Sequence, residues 1–197
     1  MAALSDGLSG SLSADALRYS RALLALFMPW KQLIMTTDQP SSSSTSRAEL
    51  RLRPAQLADL PLLVDFNAWL AYETESLSLD PAVLKAGVAN ALANPTTATY
   101  FVAELDGTVV GSTMITHEWS DWRNGDIWWI QSVYVVPAAR RSGVFTAIYA
   151  YLRESARAAG AIGLRLYVET NNVTAQRAYA ALGMTTAHYA VMEDIPL

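Results

Sequence analysis

The sequence predicts an α/β (α+β) domain: a mixed central sheet with helices on both of its faces. The order of the elements carries most of this reading. Apolar runs of strand character and stretches of helical period succeed one another as β-α-α-β-β-β-α-β-α-β, and a run of strands followed by β-α-β units makes a mixed sheet covered on two sides. The segment DIWWIQSVYVV (126–136) is apolar at both alternating sets of positions, as a central strand buried on both faces must be. Bulk composition agrees. A chain of 197 residues with 52% apolar and 16% charged side chains supports one domain with a substantial core and excludes a disordered chain.

Taken in order, AELRLR reads as the first strand, followed by Pro54. Leu57, Leu60, Leu63, Phe66 and Leu70 recur at helical spacing and predict a first amphipathic helix. Asp80 is an N-cap followed by a proline at the first helical position, which opens a second helix through about Ala93. TYFVAEL and TVVGSTMITHEW flank Asp106-Gly107, a tight hairpin signal. Pro137 stops the central strand, and a helix through about Ala159 carries Val144, Ile148 and Leu152 on one stripe. Gly160 and Gly163 break it before LRLYVE, a further strand. Asn171 or Asn172 caps a short helix that Gly183 ends, and AHYAVME (187–193) is expected as the last strand.

Residues 1–47 read differently. LRYSRALLALFMPW is too short to span a bilayer, and Pro29, Trp30 and Lys31 interrupt it as a signal peptide. SSSSTS (41–46) is a linker composition, so residues 1–47 are expected as a dispensable or weakly helical tail and 48–197 as the domain. Met35 offers an alternative start. The net charge of −4 argues against a general nucleic-acid binder, since such binding needs a basic surface. The absence of cysteine excludes disulfides, a thiol nucleophile and a Cys-based zinc site, and fits a cytoplasmic protein. His117 and His188 lie far apart without metal-ligand spacing, so no metal is expected. The Asn172-Val173-Thr174 sequon is an accident of composition without secretion.

The chemistry gathers where the central strand turns into the helix, in VVPAARRSGVF (135–145). A glycine-containing turn into a helix leaves the first backbone N–H groups without partners, and these donors, with the positive end of the dipole, attract an anion. Arg140 and Arg141 add donor forks suited to phosphate oxygens, although two arginines before a helix are also an ordinary solvated turn. Neither a Walker sequence nor G-x-G-x-x-G is present. The second block is YVETNNVTAQRAYAALGM (167–184), a strand ending in an asparagine pair ahead of a short helix.

Together these two blocks resemble the GNAT superfamily of acyl-CoA-dependent N-acetyltransferases, over about residues 48–197. The first block supplies Val135, Pro137, Arg140 and Gly143 of that family's pattern, and the second supplies Asn172, Ala175, Tyr179, Gly183 and Met184. The departure is Phe145, where the family usually has Gly or Ala.

The resemblance implies a mostly antiparallel sheet and acetyl-CoA as co-substrate. It places the pyrophosphate on the backbone of Arg140, Arg141, Ser142, Gly143, Val144, Phe145 and Thr146, and the pantetheine arm on the strand edge near Val133 and Val135. Asn172 and Ala175 would meet the arm from the other side. Tyr179 takes the position of the phenol that protonates the departing thiolate. Phe145 is expected to turn its side chain into the core beside Val144 and Ile148, with its N–H still facing the phosphate.

The implied reaction is acetyl transfer to a primary amine of a small molecule or a peptide amino terminus. A base must remove the amine's proton, and the candidates are Glu73, Glu75, Glu118, Asp121 and Asp126, with Glu118 or Glu75 favoured. Glu73 and Glu75 are expected between the first two helices, over the acceptor pocket. Gln131 orients the acceptor. The cluster Trp119, Trp122, Trp128 and Trp129 has the density of core or interface packing. The alternative is an aromatic wall able to hold a cationic amine, for which Trp119 and Trp122 in the polar loop are the candidates, whereas Trp128 and Trp129 point to opposite faces of their strand. The alternatives are a non-catalytic acyl-CoA-binding regulatory domain and a phosphate-binding domain that does not take coenzyme A. No nucleic-acid or membrane partner is expected, and a homodimer would be in keeping with the family.

Overall fold

A computed structural model describes residues 49–195 of the chain. The tail, the Ser-rich linker and Met35 of residues 1–47, like Ala48, lie outside the described residues. The elements are β1 (Leu50–Pro54), α1 (Leu60–Glu75), α2 (Pro81–Ala93), β2 (Ala98–Leu105), β3 (Thr108–Ser120), β4 (Gly125–Val135), α3 (Val144–Ala158), β5 (Gly163–Leu166) and α4 (Val173–Ala181). The five strands lie side by side in chain order. All pairs are antiparallel except β4 with β5, which are parallel and joined across α3. Among the described residues no helix is long and apolar enough to cross a membrane.

Hydrophobic alternation sets the layers. On one face Phe101, Ile115, Trp128 and Ile130 pack against the stripe Val144, Ile148, Leu152 and Ala156 of α3. On the other, Tyr100 and Val102 meet Leu63 of α1 and Val88 of α2, and Phe66 packs on Tyr134 with ring centroids 5.1 Å apart. Each such large side chain taken from water contributes about 1.5–3 kcal/mol. The β2–β3 turn places Asp106 at φ 50° and Gly107 at φ 78°, the left-handed pair that a two-residue hairpin of matching twist requires.

Three differences from the sequence reading have local causes. Leu57 is 71% exposed and lies in a 3-10 turn, Leu57–Asp59, because Asp59 holds the Gln56 N–H at 2.7 Å and the Arg53 guanidinium at 2.7 and 3.0 Å. The helix starts only after that clamp. It then runs on to Glu75 and ends at Ser76 in a left-handed conformation, φ 57°, so Glu73 and Glu75 stand on α1 rather than between the first two helices. The last strand expected over 187–193 is not in the sheet, and Tyr189, Val191 and Met192 there are exposed. β5 is only 4 residues long and offers little edge to pair with.

The feature that positions the site is a bulge in β4. Ile115 pairs with Ile130 and Met114 with Ser132, leaving Gln131 as the extra residue. A bulge bends its strand and interrupts pairing. Here β5 pairs with Ile127 through Ile130 and no farther. Beyond Gln131, β4 continues to Val135 with β3 along one edge and, among the described residues, no strand along the other.

Candidate active site

Beyond the bulge, the chain leaves β4 through a turn at Pro137–Ala139 and enters α3. The N-terminus of α3 differs from those of α2 and α4. Asp80 caps α2 by accepting from the Ala82 and Val83 N–H groups, and Asn172 Oδ1 caps α4 by accepting from the Ala175 N–H at 3.0 Å. Gly143, at the start of α3, has no side-chain cap, and the Ser142 hydroxyl donates backward to the Ala139 carbonyl at 2.6 Å. Arg141 and Gly143 are both left-handed, at φ 63° and 92°. The helix's hydrogen bonding begins with the Ala147 N–H on the Gly143 carbonyl, and among the described residues none of the amides from Arg141 to Thr146 reaches an acceptor. Orphan donors at a helix N-terminus, with backbone turned by left-handed residues, form a cradle for an anion.

The two arginines beside the cradle are not equivalent. Arg140 Nε donates to the Val135 carbonyl at 2.8 Å and Nη2 to Glu73 at 2.5 Å, while the other Glu73 oxygen accepts from the Tyr134 hydroxyl at 3.0 Å. Its charge therefore ties the turn to the end of α1. Burial, with Glu73 adding to it, pushes the Tyr134 phenol up to about 12. Arg141 is exposed and forms no ion pair among the described residues. Phe145 is outside the core cluster. It lies one position round the helix from the buried Val144–Ile148–Leu152 stripe and packs edge-on against Tyr179 of α4, centroids 5.3 Å apart. That corrects the expected core placement and sets Tyr179 beside the first turn of α3. Burial pushes the Tyr179 phenol up to about 12, so it stays protonated at neutral pH.

On the near side of the bulge, one face of the sheet carries a continuous polar stripe. Gln131 Nε2 donates to Thr116 Oγ1 at 2.7 Å, and Thr116 pairs with Trp129. The Trp129 indole N–H donates to Glu118, whose two oxygens also accept from Arg165 Nη1 at 2.7 and 2.8 Å. Arg165 stands 5.3 Å over the Trp129 ring, and Tyr167 packs on that ring at 4.4 Å. Trp128 points the other way, into the core. Trp119 and Trp122 are 64% and 85% exposed at the β3–β4 turn and, with Glu118, Arg165 and Tyr189, line a cavity of about 290 Å³. Asp121 accepts from the Trp122 N–H, and Asp126 lies 2.6 Å from His117 Nδ1. Glu75, two residues past Glu73 and so on the other side of α1, is exposed.

The description of the Acetyltransferase (GNAT) family matches residues 64–184, more than half of the chain. The chain belongs to the GNAT acetyltransferase family. A possible acetyltransferase from Clostridium difficile 630 is 38% identical, with 75% of this chain and 98% of that one aligned at a TM-score of 0.71. Two more distant structures share the fold. The aminoglycoside N-acetyltransferase AAC(6')-Iy in complex with CoA is 16% identical, with 77% and 98% of the chains aligned at a TM-score of 0.65. A ribosomal-protein-alanine N-acetyltransferase from Brucella melitensis biovar Abortus 2308 is 15% identical, with 74% and 98% aligned at 0.60. No curated protein matches the sequence significantly.

Within this GNAT fold the expected site residues fall into two groups. Arg140 through Thr146, Asn172, Ala175 and Tyr179 gather around the α3 N-terminus and α4, beside the open edge holding Val133 and Val135. Glu118, Gln131, Trp119 and Trp122 belong to the β3–β4 side, and Glu73 bridges toward the first group through Tyr134 and Arg140. Sequence reading missed Arg165, Trp129 as part of the floor, and Tyr134. Arg165 had a signal: it is the one charged residue in the apolar alternation Leu164-Arg165-Leu166, so its face had to be an uncovered one.

Proposed function

We propose that this chain is an acetyl-CoA-dependent N-acetyltransferase that transfers an acetyl group to a primary amine, of a small molecule or an amino terminus, by direct attack on the thioester. One observation carries the reading: the run of amides without acceptors, Arg141 to Thr146, around left-handed Arg141 and Gly143. Those donors fit a diphosphate. Arg141 adds an uncommitted charge, and the open edge at Val133 fits an amide-bearing arm by strand addition. Asn172 uses Oδ1 to cap its helix and retains Nδ2 for the arm, next to Ala175. When bound, acetyl-CoA supplies the reactive thioester.

The acceptor nitrogen forms its bond to the acetyl carbon as the carbon–sulfur bond breaks. Gln131, at the bulge, orients the amine, and Trp119 and Trp122 wall the far end of the groove. The amine's proton leaves through water to Glu118, the candidate carboxylate on the same sheet face as Gln131. A carboxylate offers about four acceptor sites, so Oε1 retains one beside its Arg165 bond. The protonated Tyr179 donates to the departing sulfur.

Tyr179→Phe is expected to lower kcat about a hundredfold while coenzyme A affinity stays within about twofold, read by release of free thiol and by calorimetry. Undiminished turnover would remove Tyr179 from the reaction. The engagement of Glu118 by Arg165 and Trp129 favours, as a second reading, a regulatory domain that binds acyl-CoA without turnover. Coenzyme A binding without thiol release across a broad panel of amines would select that reading.

A further inference from the structure

We propose that Arg165 forms an anion subsite in the acceptor groove and that the acceptor is an amine that also carries a carboxylate, of which an amino acid is the simplest member. The inference rests on the acetyltransferase reading above and names its substrate class. Arg165 Nη1 is occupied by Glu118, at 2.7 and 2.8 Å. Among the described residues its Nε and Nη2 have no acceptor. Those two nitrogens present parallel N–H bonds along one edge of the guanidinium, the geometry that receives both oxygens of a carboxylate.

The plane of that fork is fixed before any ligand arrives. Trp129 lies beneath it at 5.3 Å, Tyr167 supports Trp129 from the side, and Glu118 is itself held by the Trp129 N–H. A side chain ordered by its neighbours loses little freedom on binding. Arg165 is 31% exposed, so the fork can be reached from the cavity it lines with Trp119, Trp122 and Tyr189. That cavity's lining carries Glu118 and Asp121 against Arg123 and Arg165, a balance with no net preference for a cation. Glu118 is already matched by Arg165 and Arg123 is exposed, so the fork's open edge is the charged element in this lining whose orientation is held in advance.

The spacing suits one small molecule. Arg165 is in register with Trp129, and Gln131 lies two residues farther along β4, about 7 Å at the rise of an extended strand. The guanidinium reach and the length of an amino acid span that interval, with the amine toward the bulge and the carboxylate toward β5. The exposed aromatic rings at Trp119, Trp122 and Tyr189 suit a large apolar or aromatic side chain.

The test is a matched panel: phenylalanine against phenethylamine and leucine against isoamylamine, each with acetyl-CoA, in the wild type and in Arg165→Lys. Lysine keeps the charge opposite Glu118 and removes the fork. The proposal predicts kcat/KM at least tenfold higher for each amino acid than for its decarboxylated amine, and a ratio that falls toward one in Arg165→Lys. Equal or better use of the plain amines by the wild type would overturn it, as would a ratio unchanged by the substitution. A second measurement does not depend on the variant folding: 3-phenylpropionate should inhibit the wild type competitively against the amine, and lack of inhibition counts against the subsite. If no amine is acetylated although coenzyme A binds, the enzyme reading fails. The subsite is then judged by calorimetry on the coenzyme A-loaded protein, where phenylalanine should bind at least tenfold tighter than phenethylamine and equal affinity would overturn it.

Discussion

From Gly125 to Ile130, β4 has β3 along one edge and, over its last four positions there, β5 along the other; from Ser132 to Val135 only β3 remains. The polar groups of the two halves are handled in opposite ways. Around the first half they are side chains that satisfy one another: Gln131 with Thr116, and Trp129 and Arg165 with Glu118. Beside the second half they are backbone donors, Arg141 to Thr146, that find no acceptor among the described residues. Arg141, Ser142, Gly143 and Thr146 are exposed, so water serves most of these donors in the free protein and a ligand's oxygens can take its place. The difference teaches that the second half offers a ligand generic backbone groups, which is what the proposed coenzyme A site would use. Near the first half, recognition is left to side chains already held in place.

The contrast can be broken most strongly at Gly143. A built Cβ there meets nothing within 4 Å, yet φ is 92°, so the obstacle to a side chain is the backbone and not space. A β-branched residue avoids left-handed φ. Gly143→Val should therefore reshape the amide run and weaken coenzyme A binding about a hundredfold, about 2.7 kcal/mol, as measured by calorimetry. Unchanged affinity would mean that the cradle does not hold the phosphates.

A smaller effect separates the arginines. Arg141→Ala is expected to weaken coenzyme A about five- to tenfold at low salt and less at high salt, as an exposed charge should. Arg140→Ala should cost about two- to threefold with little salt dependence, because Arg140 is committed to Glu73 and the Val135 carbonyl. Titrations at two ionic strengths distinguish them, and the reverse ranking would show that Arg140 leaves Glu73 for the ligand.

A separate effect, on the fold and not on binding, is the loss of stability at high pH. Tyr134 and Tyr179, both on the cofactor side, have phenols raised to about 12 by burial, with Glu73 contributing at Tyr134. In the unfolded chain they ionise near 10, so the folded state holds more protons above that pH. Stability is then full below pH 10 and is lost as pH rises toward 12. Denaturant midpoints at pH 9 and pH 11 should show this decline, and replacing both tyrosines by phenylalanine should reduce it. A decline of the same size in the double variant would assign the effect elsewhere.

The two halves also differ in how much of them could be read from sequence. Strand and helix order, the Asp106-Gly107 turn and the cap at Asn172 follow from local pattern, and so did most of the fold. The turn into α3 was legible because its signals are local as well: Gly143 permits a left-handed backbone, and its neighbours supply amides whatever their side chains are. Phe145 illustrates the limit. Its amide position was readable, but its ring packs on Tyr179, 34 residues on in sequence, and only the fold brings them together.

The ion pairs that organise both sides are of that second kind. Arg165 meets Glu118 across 47 positions on the β3–β4 side, and Glu73 meets Arg140 across 67 beside the turn into α3. The expected last strand failed for a related reason, since alternation in 187–193 could not reveal that β5 would be 4 residues long. The end of α1 is likewise hidden from local pattern, since Ser76, not glycine, takes its left-handed terminus after Glu73 and Glu75.

The division of β4 at Gln131 is tested most directly by backbone amide hydrogen exchange with and without coenzyme A. The amides of Arg141 to Thr146 lack acceptors among the described residues and should exchange rapidly in the free protein. Coenzyme A should slow them strongly, together with the Ser132–Val135 edge, and leave Trp128 to Ile130 and Gly163 to Leu166 unchanged. Slowing confined to β5 and the first half of β4, with none at Arg141 to Thr146, would contradict the account.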